Sequence, residues 1–183
     1  MSKNFRIVGF AGCVREESYN KAALRVAQDN LPAGAELEIL TIAALPSFQV
    51  AAGQSESEEV SIFQGKIRDA DAVLIMTPEY KGMLPHALKN ALYWAKAELA
   101  EKPIAIMGIG RSTGTERELQ ELRRMLVGYN ALVLEQPEVY MTAGREKFDQ
   151  SGSLTDKASV QQIRLLVEAL VALVNEKATV LVG

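Results

Sequence analysis

The chain has 183 residues, 48% hydrophobic and 23% charged, with a formal net charge of −3, one cysteine and one histidine. That size buries a sizeable core without staples and is expected to form a single domain over residues 1–183. The mild acidity argues against nucleic acid or an anionic membrane as partner, a lone cysteine points to a reducing, cytoplasmic setting, and one Cys with one His leaves no zinc ligand set.

The opening M-S-K-N-F-R is followed by no long apolar region, so no secretory leader is expected. No run approaches the roughly 20 apolar residues that a membrane-spanning helix needs. Five short apolar runs, 5–10, 37–40, 72–76, 104–108 and 131–134, read as strands. They lack polar alternation, as parallel strands covered on both faces do. Between them, helical spacing of apolar residues marks 18–31, 58–69, 84–99, 115–127 and 155–175, the last with an N-cap at Thr155 or Asp156. Residues 46–57 and 140–153 read as loops, and the apolar 178–183 as a tail packed on the body or a partner subunit. The charge run 116–124 reads as a solvated helix face with i,i+4 pairs.

Alternating strands and helices define the α/β class with a parallel sheet. Five strands in this order fit a flavodoxin-like, doubly wound sheet of order 2-1-3-4-5. Ligands of such sheets bind beyond the carboxyl ends of the strands. Three loops leave those ends. The first, G-C-V-R-E-E-S-Y-N, has Arg15, Ser18 and Asn20 before a helix start, where an anion is favoured. The same residues read equally well as a turn with Ser18 as helix cap. The second, T-P-E-Y-K-G, fixes its backbone at Pro78, frees it at Gly82 and offers the Tyr80 ring. It suits a flat heterocycle, or it is an ordinary turn before a helix with Pro85 in its first turn. The third, G-I-G-R-S-T-G-T, holds three glycines and allows close backbone approach. His86 reads as a surface or interface residue, and nothing local brings Cys13 and His86 together as a nucleophilic pair.

Taken together, R-x-x-S-x-N at Arg15, Ser18 and Asn20, P-E-Y at 78–80, and L-P-x-x-L-K-N-A-L-x-W at 84–94 resemble the NAD(P)H-dependent FMN reductases. That family includes chromate, quinone and azo-dye reductases. The resemblance implies FMN as cofactor, NADPH or NADH as co-substrate, and a small-molecule electron acceptor. Cys13, Arg15, Ser18, Tyr19 and Asn20 would surround the phosphate. Pro78, Glu79, Tyr80, Lys81 and Gly82 would line the isoalloxazine, with Gly110, Arg111 and Ser112 at its pyrimidine side. No catalytic side chain is required, because the cofactor carries the redox chemistry. A homodimer or homotetramer is implied, with the 84–99 helix at the interface. Cys13 stands where the family usually has serine, Lys81 where it has asparagine, and Thr115 where it has a second glycine. Those departures, with Glu16 and Glu17, motivate an alternative: a binding module of the same fold with weakened or lost FMN binding. A one-electron carrier is a third reading.

Overall fold

A computed structural model describes residues 4–13, 18–48, 57–110, 115–142 and 144–180. Its strands are β1 (Phe5–Ala11), β2 (Ala35–Ile39), β3 (Ala72–Pro78), β4 (Pro103–Ile109), β5 (Leu132–Val133) and β6 (Val139–Met141). The helices are α1 (Tyr19–Asp29), α2 (Glu58–Asp69), α3 (His86–Trp94), α4 (Glu116–Gly128) and α5 (Lys157–Val180). All strand pairings are parallel, in the order β2-β1-β3-β4-β5, as the sequence predicts.

One strand is new. Residues 139–141, expected to open into a loop at Tyr140, form β6 and pair with β4 beside Met107, Gly108 and Ile109. β5 pairs with the start of the same strand, at Pro103 and Ile104. The two segments therefore share one flank of β4, with Glu135–Glu138 leaving the ladder between them. Pro137 lies in that excursion and has no N–H to give to a ladder.

The core lies on both sides of the sheet because alternate strand residues point to opposite faces. Ile7, Leu74, Met76 and Met107 meet α1 and α5 on one face. Phe10, Ile75, Ile104 and Ile106 meet α2, α3 and α4 on the other. α2 begins at an N-cap, Ser57, with Glu58 and Glu59 in its first turn and Lys66 and Arg68 in its last. Those charges complement the helix dipole. α3 ends at Trp94, short of the expected 99. Beyond it, i to i+3 bonds tighten the chain, as in Lys96 N–H to the Tyr93 carbonyl and Lys102 N–H to that of Leu99. Residues 46–48 are strapped to α3: Asn90 and the Trp94 indole both donate to the Pro46 carbonyl, and Asn90 accepts from Phe48 N–H.

α5 runs to Val180, so residues 178–180 continue a helix where a tail was expected. By length and composition this helix is apolar enough to cross a membrane, contrary to the reading of the sequence. Its apolar side, Ile163, Leu166, Val167, Leu170 and Val174, is buried against the sheet, as in the core helix of a globular domain.

Its N-cap is Asp156, one of the two expected. The carboxylate accepts from the Ser159 hydroxyl (2.6 Å), the Ser159 N–H (2.9 Å) and Lys147 (3.0 Å). These donors, the Ser159 hydroxyl first, lower its pKa from an ordinary 3.8 to about 2. A depressed acid pKa gives stability that is complete above the ordinary value and is lost as pH falls toward the folded one. Asp156→Asn should therefore flatten the fall in stability between pH 3.8 and about 2, as followed by denaturant unfolding across that range. An unchanged slope would remove Asp156 from the acid response.

Candidate functional site

Each of the three loops is hung on the neighbouring strand as it leaves the carboxyl end of its own. Gly12 N–H donates to the Met76 carbonyl (2.8 Å), Glu79 N–H to Ile109 (3.2 Å) and Gly110 N–H to Met141 (2.7 Å). The starts of the three loops are thereby gathered at the carboxyl ends of neighbouring strands. The first two also touch through Gly12, where a Cβ would lie 3.1 Å from Leu88 and 3.2 Å from the Pro78 ring. A side chain there would push the loops apart.

In the first loop the helix-cap reading is realised. Ser18 Oγ accepts from Lys21 N–H at 3.1 Å and lies 2.7 Å from the Cys13 sulfur. The Tyr19 ring stacks on Phe148 at 4.3 Å. Asn20 is buried, and its Oδ1 has no hydrogen-bond partner. A buried amide oxygen without a donor is costly and calls for one. FMN carries ribityl hydroxyls as well as a phosphate, so an unpaired amide at a capped helix start fits it. Arg15, Glu16 and Glu17 lie outside the described residues, as do Arg111, Ser112 and Gly114.

The second loop differs from expectation in what it offers. The sequence suggests a turn presenting backbone N–H groups to a ligand. Two of these N–H groups point the other way: Tyr80 and Gly82 both donate to Glu118 Oε1, at 3.0 and 2.9 Å. Leu84 N–H donates to Glu121 Oε2 at 2.9 Å, and Glu121 Oε1 pairs with Lys89 at 2.7 Å. What remains outward is the Tyr80 ring, 54% exposed, and Lys81, whose side chain is exposed. Lys81 and Gly82 both take positive φ, 55° and 72°. Glycine adopts that region freely, whereas lysine does so at a cost.

Glu118 and Glu121 are the residues that sequence reasoning missed. The run 116–124 is not a purely solvated face, because Glu118 is only 2% exposed. The sequence does carry a signal. Glu118 stands four and eight residues before Leu122 and Leu126, on the buried stripe of α4. Partial burial pushes the Glu121 carboxyl up, but Lys89 and the Leu84 N–H outweigh it and hold it below its ordinary value.

In the third loop, Gly108 serves packing rather than ligand approach. A Cβ on it would lie 2.0 Å from Thr115 Oγ1. Thr115 is fully buried over that space, and its hydroxyl oxygen has no partner. His86, the lone histidine, is exposed at the start of α3. Two concavities, one lined by Arg6, Glu36 and Lys66 and one by Arg68, Glu98 and Lys102, lie at the amino ends of the strands, where sheets of this type do not bind ligands.

A doubly wound parallel sheet of order β2-β1-β3-β4-β5 defines an α/β protein of the flavodoxin-like class. Comparison with known proteins narrows the class. The family model for NADPH-dependent FMN reductase matches residues 5–146. An NAD(P)H-dependent FMN reductase of Pseudomonas aeruginosa is 34% identical over 178 residues, spanning 93% of this chain and 95% of that protein. An NAD(P)H:quinone oxidoreductase of Solanum tuberosum is 31% identical over 179 residues, with 92% of each covered. A solved flavoenzyme, an NAD(P)H:(acceptor) oxidoreductase of Paracoccus denitrificans, superposes with a TM-score of 0.83 at 26% identity, over 94% of this chain and 98% of its own. The chain belongs to the NADPH-dependent FMN reductase family.

The contact at Gly108 yields a test. Gly108→Ala should destabilise the fold by about 1–3 kcal/mol, the usual scale of overpacking. Adding Thr115→Gly should recover part of that loss by removing the side chain in the way. Thermal unfolding of the two variants measures both effects, and a stable single variant would contradict the packing described.

Proposed function

We propose that the chain is an FMN-dependent NAD(P)H oxidoreductase that reduces small acceptors, quinones foremost. The observation that carries this reading is a match to the family model over residues 5–146, with the P-E-Y turn and the capped helix start of α1 following the carboxyl ends of neighbouring strands. FMN, when bound, supplies two-electron redox chemistry between the nicotinamide and the acceptor. The chain supplies binding and orientation. The N-terminus of α1, with Arg15 and Asn20, holds the phosphate end, where a helix start favours an anion. Cys13, Ser18 and Tyr19 wall that end. Ser18 is already committed to its cap, so Arg15 and the free helix amides carry most of the charge recognition. Pro78, Glu79, Tyr80, Lys81 and Gly82 line the flat ring, with the Tyr80 face open to it. Gly110, Arg111 and Ser112 close its pyrimidine side. Lys81 adds a positive charge at the ring edge, which would favour an anionic reduced form.

The protein works in the cytoplasm as one domain, and as a homodimer or homotetramer joined through α3. Exposed Tyr93 and Met83 on and beside that helix support such a contact. The relatives named for quinones support that acceptor class. A second reading, a binding module with weak FMN affinity, rests on the commitment of Ser18 and the buried Thr115. A visible spectrum of the purified protein with added FMN separates the two. Colourless protein that takes up no FMN would sink the reductase, and NAD(P)H oxidation with a quinone in the cuvette would establish it.

Arg15→Ala should weaken FMN affinity by about 1.5–3 kcal/mol, the scale of a hydrogen bond to a charged group. A flavin titration measures this, and equal affinity would take Arg15 out of the phosphate site.

A further inference from the structure

We infer that Glu118 is a positioning residue for the flavin ring. It fixes from below the backbone of the turn on which, in the reading proposed above, that ring rests. The carboxylate is almost wholly buried on the apolar stripe of α4, where an acid survives only if its bonds are met. Its Oε1 takes the N–H of Tyr80 and that of Gly82 together. These two residues bracket Lys81, which is held at a φ of 55°. Lys81 N–H, between them, has no acceptor among the described residues and is the amide of the turn left for a ligand. One oxygen thus takes two donors of the turn and leaves the one between them unpaired.

Glu121, one helical turn on, repeats the device at Leu84 N–H and anchors the start of α3. The turn is therefore bolted to α4 at two points three residues apart. α4 itself begins at Glu116, with Thr115, the last residue of the third loop, at its N-cap position. The second loop is thereby held on the helix that follows the third. Pre-setting the turn lowers the ordering cost of binding and holds the ring in register.

Amide hydrogen exchange and flavin titration together test this. In the wild-type protein without FMN, Tyr80 and Gly82 amides should exchange slowly and Lys81 rapidly. Glu118→Ala should abolish the protection, raise the FMN dissociation constant about tenfold or more, and lower kcat at saturating FMN while leaving KM for NAD(P)H near its original value. Glu118→Gln keeps an oxygen at the same place and should restore affinity to within about threefold. Equal exchange at Tyr80, Gly82 and Lys81 in the wild type would overturn the inference without any variant. So would a protected turn with FMN affinity and kcat unchanged in Glu118→Ala, which leaves Glu118 a role in folding alone. Wild-type protein that binds no FMN would instead bring down the reading of the site, and this inference with it.

Discussion

The register of β3 on β4 is the constraint on which the rest of this molecule depends. Six residues of each strand pair in parallel, from Val73 with Ile104 to Pro78 with Ile109. Both strands are buried on both faces, so a slip of one residue would turn every side chain to the wrong layer. That pairing sets where β3 stops and the P-E-Y turn begins, and where β4 releases the glycine-containing loop. The site is an outgrowth of this register. Its loops lie side by side because the strands that deliver them end side by side.

The turn at 78–84 then shows how a flexible composition becomes a fixed surface. Glycine and lysine in left-handed conformations would make a loose loop in isolation. Here the helix of the other loop supplies the acceptors. Backbone donors that would otherwise face water or a ligand are satisfied from inside the protein, and the outward face keeps an aromatic ring and a cation. Charge and hydrogen bonding are thus sorted by side, with carboxylates beneath the turn and the positive group above.

The fold was largely legible in the sequence. Buried parallel strands are continuous apolar runs, and all five expected strands and all five expected helices are present, each within about five residues of its expected bounds. Two features were not legible, for physical reasons. V-Y-M at 139–141 is too short to carry a period, and only pairing with β4 makes it a strand. The acids of α4 alternate with arginines, and Arg117 stands four residues before Glu121, which is also how an exposed helix looks. Only the placement of Glu118 in line with Leu122 and Leu126 distinguishes the two. In the first loop, cap and anion site looked like rivals. The geometry makes Ser18 the cap and leaves the buried Asn20 Oδ1 without a donor.

α5 has a consequence for how the chain reaches this structure. It packs against β3, β4 and β6 on one face, yet follows all three in the sequence. Ile163 and Leu166 join the core cluster of Met76 and Met107, residues made far earlier. While the chain is being synthesised, that face of the sheet stands open until the helix has left the ribosome. At about 5–20 residues per second, the separation from β3 amounts to roughly five to twenty seconds of exposed apolar surface. A nascent chain stalled between residues 141 and 163 would carry every strand but a sheet bare on part of one face, a natural target for chaperones that recognise exposed hydrophobic strands.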